Sequence, residues 1–124
     1  MLIDDTIAAI STPSGVGAIA IVRLSGPDAF LIAQKIFVAR KKSSENNFSS
    51  DKNWQPKSHQ ASIGYIQDPL THQYLDEVVL IPYQGPNSYT GEDLVEINCH
   101  GSPIVTREIL SILLKEGARL AQRG

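Results

Sequence analysis

The chain has 124 residues, of which 42% are apolar and 19% charged, and its formal net charge is −2. That is one domain's worth of chain, with enough apolar material to form a core without disulfide or metal staples. The slightly acidic balance gives no sign of a strongly basic nucleic-acid binder. The single cysteine, Cys99, excludes an intrachain disulfide framework and a multi-cysteine zinc site, and it fits a reducing, cytoplasmic compartment. The N-terminus carries Asp4 and Asp5 where an export signal would carry Lys or Arg, and the apolar run Val16 to Val22 is too short to cross a bilayer, so no membrane partner is expected. Asn47-Phe48-Ser49 matches a glycosylation sequon, which is read as chance in a chain without a secretory signal.

Thr6 to Ser11 is a short apolar run that predicts a strand, followed by the turn cluster Thr12 to Gly17. Ala18 to Leu24 is almost wholly apolar and predicts a second strand. Ser25-Gly26-Pro27-Asp28 opens a helix, with Pro27 suited to the first helical position and Asp28 to the positive end of the helix dipole. Phe30, Ala33 and Phe37 fall at helical spacing and should face a sheet. Arg40 to Lys57 is rich in Lys, Ser and Asn and reads as a long, mobile surface loop.

His59 to Gln67 and Leu75 to Pro82 predict two strands of a hairpin joined by the turn Asp68 to Gln73. A Gly/Pro/Asn-rich loop, Gly85 to Gly91, leads to a fifth strand over Leu94 to Asn98. Ser102 is a good N-cap and Pro103 a good first residue for a second helix, whose stripe is Val105, Ile109, Ile112 and Leu113 and whose stop is Gly117. The order β-β-α-β-β-β-α places strands in runs, which argues an α+β fold with a mixed or antiparallel sheet of about five strands and two helices in a single domain, 1–124. Ala118 to Ala121 begins another apparent strand, so the chain is expected to be a fragment of something longer.

Four places could carry chemistry. Ser14-Gly15-Val16-Gly17 could cradle phosphate, but no Gly-Lys-Ser/Thr completes a P-loop and a strand follows it, so a tight strand connection explains it as well. Arg23 shares a strand face with Ile19 and Ile21; a guanidinium there either meets an anion or snorkels to water. Alternation puts Leu94, Glu96, Asn98 and His100 on one face and Val95, Ile97 and Cys99 on the other. The first set is either a solvated face or the polar wall of a pocket, where the Glu96 carboxylate could take the guanidine-like donor edge of a ligand such as a pterin. Tyr89, in the loop Gly85 to Asp93, could stack on a ring or a partner chain, or simply pin its loop. Cys99, on the apolar face, reads as a buried thiol, and the scattered His59, His72 and His100 offer no metal-ligand spacing.

Asp5-Thr6-Ile7-Ala8-Ala9, Thr12-Pro13 with Gly15 and Gly17, and Ile21-Val22-Arg23-Leu24-Ser25-Gly26 resemble the opening of the tRNA-modification GTPases MnmE (TrmE). Gly85-Pro86-Asn87-Ser88-Tyr89-Thr90-Gly91-Glu92-Asp93, running into Glu96 and His100-Gly101, resembles that family's second N-terminal signature. The resemblance implies a folate-binding domain similar to that of the glycine-cleavage T-protein, which binds 5-formyl-tetrahydrofolate and forms a homodimer. Arg23 and Glu96 match the family's folate-contacting arginine and glutamate. The whole family protein adds a helical domain and an inserted GTPase using GTP, Mg2+ and K+, and modifies the wobble uridine of tRNA together with the flavoprotein MnmG. The family's folate-contacting lysine and C-terminal cysteine motif are expected beyond Gly124. The chain alone, without a P-loop, is expected to bind folate or serve purely as a structural dimerisation module, and to catalyse nothing.

Overall fold

The computed structural model describes residues 5–11, 17–41 and 50–121. Strands β1 (Ile7–Ile10) and β2 (Ile19–Ser25) precede helix α1 (Ala29–Ile36). Then come β3 (Phe37–Ala39), β4 (Ser62–Gln67), β5 (Tyr74–Tyr83), β6 (Leu94–His100), helix α2 (Pro103–Lys115) and β7 (Arg119–Leu120). The strands form one seven-stranded sheet in the order β3-β4-β5-β6-β2-β1-β7. Every pairing is antiparallel except β1 with β7. The α+β class with two helices therefore holds, while the sheet has seven strands rather than about five.

One strand beyond those expected is β3, which forms an edge of the sheet. Phe37 does not continue helix α1; it takes an extended conformation (φ −110°, ψ 128°) and pairs with Ile66 on β4. Helix α1 buries Ala29, Ile32, Ala33 and Ile36 instead, with Phe30 packed at the edge of the core. Its N-cap is Asp28 rather than a residue before Pro27, and Asp28 donates its backbone N–H to Thr6 Oγ1 at 2.8 Å. Helix α2 starts as its sequence predicts, with Pro103 in the first turn and Ser102 Oγ accepting from the Val105 N–H. Strand β4 begins at Ser62, later than expected, because His59 sits at φ 65° and cannot lie in a strand.

Alternation along the central strands divides the sheet cleanly. Val22, Leu24, Leu80, Val95, Ile97 and Cys99 are buried in one cluster with Ile32, Ile36, Ile109 and Leu113 of the two helices. Both helices thus cover one face. The opposite face carries Ile19, Ile21, Arg23, Val79, Ile81, Tyr83, Glu96 and Asn98, in register across β5, β6 and β2, and neither helix lies on it. Ile19 is 65% and Ile63 53% exposed there.

Two backbone approaches demand glycine. Gly26, between β2 and α1, has φ +140°, and a Cβ on it would lie 2.5 Å from the Thr6 Cα. Gly101, between β6 and α2, bonds across to the segment before β2, its N–H to Ala18 O at 3.2 Å and its carbonyl from the Gly17 N–H at 3.1 Å; a Cβ would strike the Gly17 carbonyl. The rest of the turn 12–16, including Gly15, lies outside the described residues, as do 42–49 of the segment Arg40 to Lys57 and with them the sequon. The remainder of that segment is tied to the sheet: Arg40 bridges Ser50, and Trp54 packs edge-on against Phe37 at 4.8 Å and donates its indole N–H to Ser62 Oγ at 3.0 Å.

Candidate functional site

Register brings the two charged candidates together. Arg23 on β2 is the direct cross-strand neighbour of Glu96 on β6, both on the helix-free face. The Arg23 Nε–H donates to Glu96 Oε2 at 2.7 Å, with the side chains 32% and 15% exposed respectively. A short, partly desolvated, charge-assisted contact of this kind is stronger than a solvent-exposed surface pair. The second carboxylate oxygen, Glu96 Oε1, accepts from the Tyr83 hydroxyl at 3.2 Å. Burial, and then the Glu96 charge it faces, hold the Tyr83 phenol above its ordinary pKa, with Arg23 acting the other way. The His59 ring stands edge-on to Tyr83, 4.9 Å between centroids, and Ser58 Oγ bonds the His59 Nδ1 at 2.8 Å.

The Gly85 to Asp93 loop closes one side of the cluster. It is pinned at its ends: Asp93 Oδ1 accepts from the Gly85 N–H at 2.9 Å, and the Asp93 carbonyl accepts from the Gly26 N–H at 2.9 Å. Buried Ser25, at the end of β2, shares a 2.7 Å hydrogen bond with Thr90 Oγ1 and donates to Glu92 Oε2 at 3.3 Å. Ser88 Oγ donates to the Glu92 carbonyl. At the tip, the Tyr89 ring lies 4.8 Å from the Arg23 guanidinium carbon, a cation–π contact, and is 81% exposed.

The other candidates fall elsewhere. Asn98 is on the same face as Glu96, donating to the Val79 carbonyl at 3.2 Å. His100 ends the strand and is held by Asp76, which accepts from its ring Nδ1 at 2.6 Å and from its backbone N–H at 2.8 Å. An open groove of about 300 Å³ runs between Ile19, Ile63, Val79, Asn98 and His100. Cys99 is buried on the helix side, and its thiol is pushed up to about 11, first by burial and then by the Asp76 charge. Among the described residues no group of three or more His, Cys, Asp or Glu could hold a metal ion. No helix among them is long and apolar enough to cross a membrane.

Nothing in the sequence alone marks Tyr83 or Ser25 as a site residue. Alternation along β5 puts Tyr83 on one face with Val79 and Ile81, but only the β5–β6 register, Ile81 opposite Glu96, shows that this face is the one holding the carboxylate.

Each carboxylate oxygen has two lone pairs, so Glu96 can accept further N–H donors beside Arg23 and Tyr83. Among the described residues Arg23 commits only its Nε–H, which leaves the outer guanidinium N–H groups for a carbonyl or carboxylate. The cluster can therefore hold a polar, planar group on the helix-free sheet face.

The domain is thus a two-layer α+β fold with one helix-free sheet face that carries an Arg–Glu–Tyr cluster. Its sequence matches the family described as the GTP-binding protein TrmE N-terminus over residues 6–124, and the chain belongs to that family. It is 50% identical over 120 residues to the tRNA modification GTPase MnmE of Streptococcus sanguinis, covering 97% of this chain and 24% of the relative. The protein of the same name from Bacillus licheniformis is 44% identical over 120 residues, again 97% of this chain and 24% of the relative. That from Moorella thermoacetica is 43% identical over 123 residues, 99% of this chain and 25% of the relative. The chain thus spans about a quarter of the length of the curated relatives it matches.

Proposed function

We propose that this domain binds a reduced folate, 5-formyl-tetrahydrofolate, and pairs with a second copy of itself, as the N-terminal part of a tRNA-modification GTPase. The observation that carries the reading is the Arg23–Glu96 pair, side by side on the helix-free face with Tyr83 and Tyr89 around it. The donor set suits the ligand. Glu96 offers a carboxylate to the amidine-like N–H edge of a pterin, and Arg23 offers guanidinium N–H groups to its carbonyl or carboxylate oxygens. Bound there, the folate supplies a one-carbon unit. The residues of this chain bind and orient it, and the reaction on the wobble uridine of tRNA belongs to the whole protein acting with MnmG in the cytoplasm. GTP, Mg2+ and K+ belong to the GTPase part of that protein, since the Gly15 and Gly17 turn lacks the Lys-Ser/Thr of a P-loop.

Calorimetric titration of this chain with 5-formyl-tetrahydrofolate tests the assignment, with GTP as the control. Saturable folate binding that Glu96→Ala abolishes, and no heat from GTP, is the expected outcome. A Glu96→Ala variant that binds as tightly as the parent would falsify the role of the carboxylate.

A second reading, a purely structural dimerisation module without ligand, is favoured by the exposure of Ile19 and Ile63 on the same face. It predicts a dimer whose stability does not respond to folate.

A further inference from the structure

We propose that Tyr89 is the stacking wall of the site. It presents an aromatic face to the planar ring whose N–H edge Glu96 takes, and its contact with Arg23 keeps the ring in place until that ligand arrives. This rests on the folate reading above and adds to it a residue that sets which ligands are held. Tyr89 is the most exposed aromatic ring of the described residues, and an exposed phenol on a free loop would have no fixed position. Here the loop is not free. The Asp93 side chain and carbonyl, and the Ser25–Thr90 hydrogen bond immediately beside Tyr89, fix the backbone on either side of the tip. The ring is therefore held over Arg23 with little ordering left to do when a ligand binds, the condition under which stacking adds to affinity. A guanidinium is itself a flat cation, so a heteroaromatic ring can succeed it against the same phenol face. Tyr83 does not share this role. Its hydroxyl is bound to Glu96 and its ring meets His59 edge-on, so it bounds the carboxylate and is not free to stack.

The test is titration of 5-formyl-tetrahydrofolate into this chain and its Tyr89→Phe, Tyr89→Trp and Tyr89→Leu variants, with thermal unfolding of each. The ring, not the hydroxyl, is the active part, so Phe and Trp keep affinity within about threefold of the parent, and Leu weakens it by about tenfold with the unfolding midpoint unchanged. Leu binding as tightly as the parent, or Phe losing as much as Leu, overturns the stacking role while leaving the folate reading in place. A parent chain that shows no saturable binding overturns both.

Discussion

At the scale of single residues, one group in the site and one in the core have their protonation biased in the same direction. Tyr83 and Cys99 both have pKa values raised above their ordinary ones, the second from 9.0 to about 11, each chiefly by burial. The neutral phenol and thiol are the forms the fold prefers. Unfolding releases each group to ionise at its ordinary pKa, so stability is fully present below that value and is lost as pH rises through the folded one. In urea unfolding these two groups should therefore add no pH dependence below about pH 9 and a decline in stability above it. Cys99→Ala should remove part of the decline between pH 9 and 11, and Tyr83→Phe part of the decline above pH 10, because each deletes the group that titrates. A parent whose stability rises from pH 9 to 11 contradicts this account. In Tyr83→Phe, Glu96 keeps its Arg23 bond and loses only the weaker 3.2 Å contact, so the cost at pH 7 is about 1 kcal/mol.

At the scale of elements, the fold depends on close backbone approaches at the joints between strand and helix. Gly26 carries the turn from β2 into α1 and donates to the Asp93 carbonyl, so it joins the first helix to the Tyr89 loop. Gly26→Ala forces a side chain into φ +140° and against the Thr6 backbone. It should cost about 2 kcal/mol or more and loosen the loop as well. Urea midpoints for the variant and parent check the first effect, and the loop effect appears as weaker folate binding. Midpoints that coincide would show that the backbone relaxes around the added methyl. These joints also decide which elements are legible in the sequence. The second helix was readable because Ser102, Pro103 and Gly117 mark it locally. The run Phe37-Val38-Ala39 was not, because three apolar residues directly after a helix look like its next turn. What makes them a strand is the β4 edge, over twenty residues further on, with Gly64 leaving room beside the Phe37 ring. Arg23 and Glu96 were visible as polar residues on apolar strands. Their contact was not, since it exists only through the β2–β6 register, and Tyr83 enters only through that of β5 with β6.

At the scale of the whole molecule, both helices stand on one side of the seven-stranded sheet, and the other side combines the charged cluster with exposed isoleucine. A sheet face bearing Ile19 and Ile63 in water is not at its lowest free energy, and a second copy of the same face would satisfy it. A two-fold interface uses each residue twice. If the proposed pairing uses this face, charging Ile19 and Ile63 removes four isoleucines from the interface of each dimer, and association falls by about a hundredfold or more even if each contributes only the lower part of its transfer free energy. Sedimentation of the parent should give a dimer, and the Ile19→Lys/Ile63→Lys variant a monomer over the same concentrations. Because both side chains project away from the helix-covered core, the monomer should keep its far-UV circular dichroism. Folate then decides between pocket and scaffold. If added 5-formyl-tetrahydrofolate shifts the variant back toward dimer, ligand and interface share the face and each strengthens the other. If the ligand binds the monomeric variant as well as it binds the parent, the pocket is complete within one chain and pairing serves another purpose. If the parent itself sediments as a monomer with and without ligand, this face is not where the chain meets its own copy.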